Sequence, residues 1–285
     1  MAPIIVGSNV QSLNAQRRLD STSSRLRDVY ERLSSGQRIN SAADDAAGLN
    51  IADRLRGDGK IASSAIRNIN DGVSTIAIAD GALDQIGIVL TRLAELAEQS
   101  ANGTYSTSQR SALDLEFNAL SSEIDRVART TTFNGVGLLS GGNAIVLQTG
   151  FDSGADSRLT INAVTGTLQG LNLATATAPI YSLNAASSDL GASASRNALD
   201  AVNRAITSLS AARGTLGSAE SRLNTAVANL ASIRENFAAA ESRIRDTDVA
   251  ADAAELTRLN ILQNAGVSVL TQANQIPALA LSLLR

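Results

Sequence analysis

Residues 202–244 read VNRAITSLSAARGTLGSAESRLNTAVANLASIRENFAAAESRI, and the spacing of their apolar side chains decides the fold. The apolar positions advance by alternating steps of four and three residues, the heptad spacing of helices packed along one seam. The seam consists of Val202, Ile206, Leu209, Arg213, Leu216, Glu220, Leu223, Val227, Leu230, Arg234, Phe237, Glu241 and Ile244. Charged residues interrupt this seam and exclude a simple two-stranded zipper. Because about 50 residues of helix measure roughly 75 Å, the pattern predicts a rod rather than a compact domain.

A matching apolar stripe in the first half of the chain provides a partner for this seam. The stripe consists of Ile69, Val73, Ile76, Asp80, Leu83, Ile86, Leu90, Leu93 and Ala97. Together with further amphipathic stretches it predicts helices over about 44–100, 106–129 and 196–245. Ser41-x-x-Asp44 predicts a helix cap, and the run Arg-Gly-Asp-Gly at 56–59 predicts a break or bend.

The middle of the chain, from about residue 130 to 190, is rich in Gly, Thr, Ser and Asn. Asn134-Gly135 is a turn signal, and residues 144–150 and 158–162 are typical of short strands. The predicted fold class is therefore mainly α: a long antiparallel helical rod with coiled-coil terminal arms and a small β region at its tip. Both ends of the chain are expected at the same end of the rod.

Both terminal segments lack charged side chains. None occurs in residues 1–16 or 259–284, and Asn and Gln interrupt the apolar residues of each segment. A lone amphipathic helix in water normally carries a charged face. An apolar face beside an amide face instead indicates packing against another protein surface, although a pair of terminal helices buried in one globule stays an alternative.

Composition excludes several classes of function. Without Cys or His, the chain has no zinc site of the usual type and no Cys–His or Ser–His catalytic pair. The acidic pairs Asp44-Asp45 and Asp246/Asp248 suit a helix start and a joint between segments better than catalysis. No enzymatic activity, no cofactor and no catalytic, cofactor-binding or metal residue is predicted.

The net charge and the hydropathy of the sequence indicate which partners the protein binds and where in the cell it acts. A formal net charge of −3 gives no reason to expect nucleic acid. No stretch resembles a membrane-spanning helix of about 20 apolar residues, so no membrane insertion is expected. The start of the chain lacks the pattern of a cleaved signal peptide, which fits a cytoplasmic protein or one exported by another route.

Several stretches resemble bacterial flagellins, the subunits of the flagellar filament. Residues 32–49 (RLSSGQRINSAADDAAGL) and 67–74 (RNINDGVS) are similar to the N-terminal signature of that family. Residues 240–248 (AESRIRDTD), 269–277 (VLTQANQIP) and 281–285 (LSLLR) are similar to its C-terminal arm. The resemblance covers about residues 1–150 and 190–285. It indicates a short form, since the large outer domains of long flagellins are missing.

The resemblance implies a self-assembling, extracellular subunit, exported by the flagellar type III route without a cleaved signal peptide. Residues 1–42 and 246–285 would form the coiled-coil inner tube, and residues 43–245 the rod domain around it. Implied partners are other copies of the chain, the flagellar cap, hook-associated proteins and an export chaperone at the C-terminal arm. The residues expected to carry self-assembly are Leu13, Leu19, Leu26, Leu33, Leu262, Leu270, Ile276, Leu279, Leu283 and Leu284.

Residues 90–102 occupy the segment that a vertebrate Toll-like receptor reads in many flagellins. Arg92, Glu95 and Leu96 match that pattern, whereas Ala94 and Glu98 depart from it. A helix face that contacts the neighbouring subunit is the favoured explanation of this segment.

The predicted function is that of a structural subunit that polymerises into the flagellar filament for swimming motility. Its terminal arms would become ordered only when they bury their apolar and amide faces against neighbours. Two alternatives remain: a hook–filament junction protein of the same superfamily, and a cytoplasmic coiled-coil adaptor of fixed oligomeric size.

Overall fold

The chain is mainly helical, as predicted. The computed structural model describes residues 8–142, 144–175, 181–185 and 187–283, and only the backbone of Ser188 and of residues 276–283. In this part of the chain there are five α-helices, one short 3₁₀ helix (Ala155–Ser157) and two small antiparallel sheets. The helices are α1 (Val10–Ser35), α2 (Ala42–Ala101), α3 (Thr107–Thr130), α4 (Ser188–Arg245) and α5 (Val249–Leu283). The strands are β1 (Thr132–Phe133), β2 (Val136–Gly137), β3 (Ile145–Gln148) and β4 (Arg158–Ile161).

The chain divides into two compact units, residues 60–234 and residues 1–59 with 235–285. In the unit formed by residues 60–234, the two apolar stripes found in the sequence line one hydrophobic core. Leu83, Ile86 and Leu90 of α2 are fully buried there, with Leu209 and Leu223 of α4. Helix α3 and the β region add side chains to the same core.

The charged residues within the two stripes bind each other. Arg213 Nε lies 2.7 Å from Asp80 Oδ1, and Arg213 Nη1 lies 2.8 Å from Asp84 Oδ1. The hydrogen bond from Arg213 lowers the pKa of Asp80. In the other unit, Arg56 Nη2 lies 2.7 Å from Glu241 Oε1. Two of the four charges that interrupt the α4 seam, Arg213 and Glu241, are therefore paired with residues of α2, and within its own unit each pair links α4 to α2.

The β region consists of two hairpins. Asn134 and Gly135 both have positive φ angles, 49° and 78°, and join β1 to β2. Two consecutive residues in this conformation form the turn expected of Asn-Gly. Strands β3 and β4 pair from Ile145 opposite Ile161 to Gln148 opposite Arg158. Leu147 of β3 packs close to α2 at Gly72, where a Cβ would collide with its side chain.

Two local predictions about α2 were wrong. The helix continues through residues 56–59 without a break, and within it only Asp45 has a non-helical conformation (φ −165°, ψ 97°). Asp45 Oδ1 accepts the N–H of Gly48 at 2.9 Å, so Asp45 caps the long helix rather than Ser41. Two glycines cost a helix about 1 kcal/mol each, and packing of the rest of the helix outweighs that cost.

Asp44 organises the turn before the helix. Its carboxylate accepts the N–H groups of Ser41 and Asn40 at 2.8 and 3.0 Å. These hydrogen bonds, that from Ser41 first, lower the pKa of Asp44.

Helix α2 is also the one described helix that is long and apolar enough to cross a membrane by length and composition alone. A single such helix is weak evidence, and the apolar stripe of α2 lies in the protein core.

Arg110 is a buried cation that sequence reasoning missed. It is 1% exposed. Its Nε and Nη2 donate hydrogen bonds to the carbonyl oxygens of Ser100 and Asn102, both at 2.8 Å. Carbonyl groups at the end of a helix have no partners within it, so this guanidinium of α3 holds the end of α2.

Candidate self-assembly surface

Helices α1 and α5 pack side by side and run antiparallel. At one end of the pair, Asn9 Nδ2 donates to the carbonyl oxygen of Ala273 at 2.8 Å, and Ser12 Oγ donates to Asn274 Oδ1 at 2.7 Å. Asn9 also caps α1 by accepting the N–H of Ser12. At the other end, Arg32 pairs with Asp252. The first and last helices that the structure describes therefore form one antiparallel pair.

The interface between α1 and α5 buries larger side chains at one end than at the other. Leu26, Val29 and Leu259 form a small buried cluster with Leu33 and Leu256 packed against it. Towards the tips the buried residues are Ala15 and Ala273. Since the stabilisation from burial scales with the apolar area removed from water, the end near Arg32 is the more stable end.

Backbone hydrogen bonds between residues 36–38 and residues 245–247, here called the joint, link the two chain segments at this more stable end. Gly36 ends α1 in the left-handed conformation (φ 71°), and its carbonyl accepts the N–H of Thr247 at 3.1 Å. Arg38 N–H donates to the carbonyl of Arg245 at 2.6 Å. The two connections, α1 to α2 and α4 to α5, are thus held to each other.

The Arg32–Asp252 pair is the ionic part of this joint. Arg32 Nη2 lies 2.9 Å from Asp252 Oδ1, and the carboxylate side chain is 13% exposed. Hydrogen bonds from Arg32 and then Thr247 lower the pKa of Asp252. The ion pair therefore stabilises the folded joint above the unfolded-state pKa of an aspartate, about 4, and this contribution is lost as the pH falls through the lower folded value.

Asp252→Asn should weaken the joint by about 1–2 kcal/mol at pH 7, because it removes a charge-assisted hydrogen bond. Hydrogen exchange at the start of α5 in the free subunit would accelerate relative to wild type at pH 7, and the two would converge at acid pH once Asp252 is protonated in the folded wild type as well. Glu255→Gln is the matched control, since Glu255 forms only a surface pair with Arg258. A difference that persists at low pH would contradict this assignment.

The exposed face of α5 after Arg258 carries apolar and amide side chains but no charge, whereas α1 exposes several arginines and carboxylates. Ile261 is 63% exposed, and no charged residue occurs between Arg258 and Arg285. The other large apolar side chains exposed on this pair are Val10, Leu13, Tyr30, Val249, Leu262, Val267 and Val269. An apolar surface of this kind marks an interaction site in a water-soluble protein.

The residues predicted for self-assembly fall into three groups. Leu13 and Leu262 are exposed. Leu19, Leu33 and Leu270 are half-buried and Leu26 is buried, all between α1 and α5. The side chains of Ile276, Leu279 and Leu283, and all of Leu284, lie outside the described residues.

Sequence reasoning missed the exposed Ile261, Val267 and Val269. Their signal was that they are large apolar side chains in a stretch, residues 259–284, that contains no charge.

The segment proposed for receptor recognition lies in the unit formed by residues 60–234. Arg92 is exposed and bonds to Glu95 on its own helix and to Glu116 on α3, both at 2.9 Å. Leu96 is 1% exposed. A partner that binds the folded chain can contact Arg92 and Glu95 but not Leu96.

The acidic residues singled out in the sequence serve local structure. Asp45 caps α2, and Asp248 caps α5 by accepting the N–H groups of Ala250 and Ala251 at 3.0 and 3.1 Å. Across the described residues, no group of three or more acidic side chains is arranged to hold a metal ion.

Comparison with known proteins gives consistent matches over the chain. Residues 6–144 match the bacterial flagellin N-terminal helical region, and residues 199–284 match the C-terminal helical region. Flagellin of Halalkalibacterium halodurans is 39% identical over 283 residues, covering 99% of this chain and 100% of that one. The flagellar filament 33 kDa core protein of Treponema phagedenis is 35% identical over 289 residues, covering 99% and 100%. Flagellin of Bacillus subtilis is 36% identical over 309 residues, covering 98% and 99%.

Proposed function

Because the chain belongs to the bacterial flagellin family and is a structural subunit of the extracellular flagellar filament, we propose that α1 and α5 form the surface through which its copies polymerise. The observation that carries this proposal is the exposed apolar face of α5, which has no charged side chain after Arg258 until the last residue. Burial of that face against copies of the chain would remove a large apolar area from water.

The residues of the two arms would contribute in different ways. Leu13 and Leu262, both exposed, would contact neighbouring subunits directly. Leu26 and Leu33 would act indirectly by holding α1 against α5. Under this proposal residues 1–42 and 246–285 line the inner tube of the filament, and residues 43–245 surround it.

Assembly would be coupled to ordering of the arms. The joint and the Leu26 cluster would keep the near half of the α1/α5 pair folded in the free subunit. The far half, where Leu19 and Leu270 are only half-buried and the buried residues are Ala15 and Ala273, would order only when its outer face is covered.

Circular dichroism of the free subunit and of the filament in the same buffer tests this coupling. We expect helix content to rise on assembly, because the far halves of α1 and α5 become ordered. Hydrogen exchange should show protection in the free subunit at residues 26–35 and 249–259, but not towards the tips. Equal helix content in both states would rule out assembly-coupled ordering.

The remaining partners and the export route follow from the family. We propose export through the flagellar type III apparatus without a cleaved signal peptide, capture of the C-terminal arm by an export chaperone, and contacts with the cap and hook-associated proteins. The family is structural, and no enzymatic activity is proposed.

A further inference from the structure

A short irregular segment, residues 181–184, packs on the unit formed by residues 60–234. The segment lies between β4 and α4 in the chain and belongs to neither. Its Leu183 is fully buried in the main hydrophobic core, and Tyr181 packs against the same core from a half-buried position. Because no helix or strand ladder includes this segment, its attachment depends on these side chains and on its hydrogen bonds to the surrounding helices.

Three helices bind the backbone of Leu183. Its N–H donates to Asp114 Oδ1 of α3 at 2.7 Å, and the same oxygen accepts the hydroxyl of Ser182 at 3.0 Å. Its carbonyl oxygen accepts the hydroxyls of Ser100 of α2 and Ser195 of α4 at 3.4 and 3.3 Å. The bond to the carboxylate is short and charge-assisted, whereas the two bonds from the serines are long. Asp114 is therefore the main polar attachment of the segment.

The helix ends around the segment also bind one another directly. Ser195 Oγ donates to Ser100 Oγ at 2.8 Å and to the carbonyl oxygen of Gly191 at 2.8 Å. Arg110 binds the carbonyl groups that end α2, and a Cβ on Gly191 would lie 3.1 Å from its Cδ. These contacts join α2, α3 and α4 without residues 181–184. Release of the segment would leave both hydroxyls and the guanidinium with hydrogen-bond partners.

The attached position contains one unsatisfied polar group. Asn184 Oδ1 is buried and accepts no hydrogen bond from any residue that the structure describes. An unpaired buried acceptor destabilises the state that contains it, and water would satisfy this oxygen once the segment moved out. Asp114 is half-buried, so water would reach its carboxylate as well. The attachment therefore depends mainly on the burial of Leu183 and on the hydrogen bond to Asp114.

We propose that residues 181–184 are a latch that opens locally while the helices around it stay folded. A segment with few apolar contacts opens at a lower free energy than the whole unit unfolds. Opening frees the connection between the β region and α4 and uncovers the apolar site of Leu183. This inference goes beyond the proposed function and does not depend on the assembly surface of α1 and α5.

Hydrogen exchange in the free full-length subunit tests whether the opening is local. The protection factor of the Leu183 N–H should be at least about a hundredfold lower than those of the core residues Ile86 and Leu209. Low concentrations of guanidinium chloride should hardly change its exchange rate, because local opening exposes little surface, whereas the rates of the core amides should rise. The same dependence on denaturant at Leu183 and in the core would overturn the proposal.

Asp114→Asn should increase exchange at residues 181–185 by about tenfold, because asparagine keeps the shape of the side chain but removes the charge from the hydrogen bond. Core amides of α2 and α3 should change by less than about twofold. Ser182→Ala removes an exposed donor to the same carboxylate and should give an increase of about twofold to threefold. Asp125→Asn is the control, since Asp125 pairs with Arg129 on its own helix, and residues 181–185 should then exchange as in wild type.

Two results with these variants would contradict the latch. If exchange in Asp114→Asn increases equally throughout residues 60–234, the segment opens only when the whole unit unfolds. If exchange at residues 181–185 is unchanged in both Asp114→Asn and Ser182→Ala, the carboxylate does not hold the segment. Should Asp114→Asn fail to fold, Ser182→Ala and the denaturant series on the wild type decide the question.

Discussion

Replacing Ile261 with aspartate is expected to stop filament growth while the free subunit keeps its fold. Ile261 is 63% exposed in the single chain, so the carboxylate meets water there and the expected change in subunit stability is within about 0.5 kcal/mol. In the polymer the same carboxylate would be buried without a cation, at a cost of several kcal/mol. Each 1.4 kcal/mol is a tenfold change in affinity, so the critical concentration should rise at least about a hundredfold.

Sedimentation and electron microscopy of concentrated protein measure this effect, and circular dichroism checks the free subunit. Ile261→Asn is the matched control because it has the same shape as aspartate without the charge. Amide side chains are already frequent on this helix, so the asparagine variant should assemble with a smaller loss. Filaments from Ile261→Asp at wild-type concentrations would count against α5 as the assembly surface.

The sequence alone suggests charges at Leu270, Leu279 or Leu283 for the same purpose. Leu270 is half-buried on the seam towards α1, so a charge there would disturb the α1/α5 pair as well as assembly. The effect of Leu279→Asp stays a prediction that follows from the resemblance. Ile261 separates the two effects because it faces away from α1.

The sequence predicted elements whose signal is periodic or local. The heptad seam of α4 and its partner stripe on α2 do line one core, and Asn134-Gly135 does form the turn of a hairpin. The charges in the two stripes could also have been matched, since an antiparallel arrangement brings Asp80 opposite Arg213. Side chains that recur every three or four residues can be assigned to one face of a helix from the sequence alone.

Features that depend on long-range packing were not predictable in this way. The glycines at positions 57 and 59 indicated a break, but α2 runs through them, and the neighbouring Arg56 is paired with Glu241 of α4, which is distant in sequence. The helical period places Leu26 and Leu13 on different faces of α1, but the sequence does not show that Leu26 is the one that faces α5 and Leu13 the one that faces outward. That distinction depends on which side of α1 the partner helix covers.

Arg110 is the clearest case, and Arg110→Met is expected to be the most destabilising single change outside the terminal arms. In the sequence it resembles any exposed arginine near the start of a helix, yet it is 1% exposed and binds the carbonyl groups that end α2. Methionine fills much of the same space but removes the guanidinium from both carbonyls, and of the two only that of Asn102 keeps a backbone partner, the N–H of Tyr105 at 3.3 Å. The expected loss is roughly 3 kcal/mol, or about 6–12 °C in the melting temperature of a unit of this size.

Thermal and denaturant unfolding followed by circular dichroism measure this loss, with Arg129→Met as the control. Arg129 lies on the same helix with its side chain 68% exposed, so its replacement should change stability by no more than about 0.5 kcal/mol. Arg110→Lys separates the effect of the charge from that of the geometry, because lysine keeps a charge but lacks the planar fork that reaches two carbonyls at once. Its free energy of unfolding should remain well below that of wild type. If Arg110→Met melts with wild type, water satisfies the end of α2 and the guanidinium is not what holds it. If Arg110→Lys is as stable as wild type while Arg110→Met is not, the positive charge matters more than the geometry of the two hydrogen bonds.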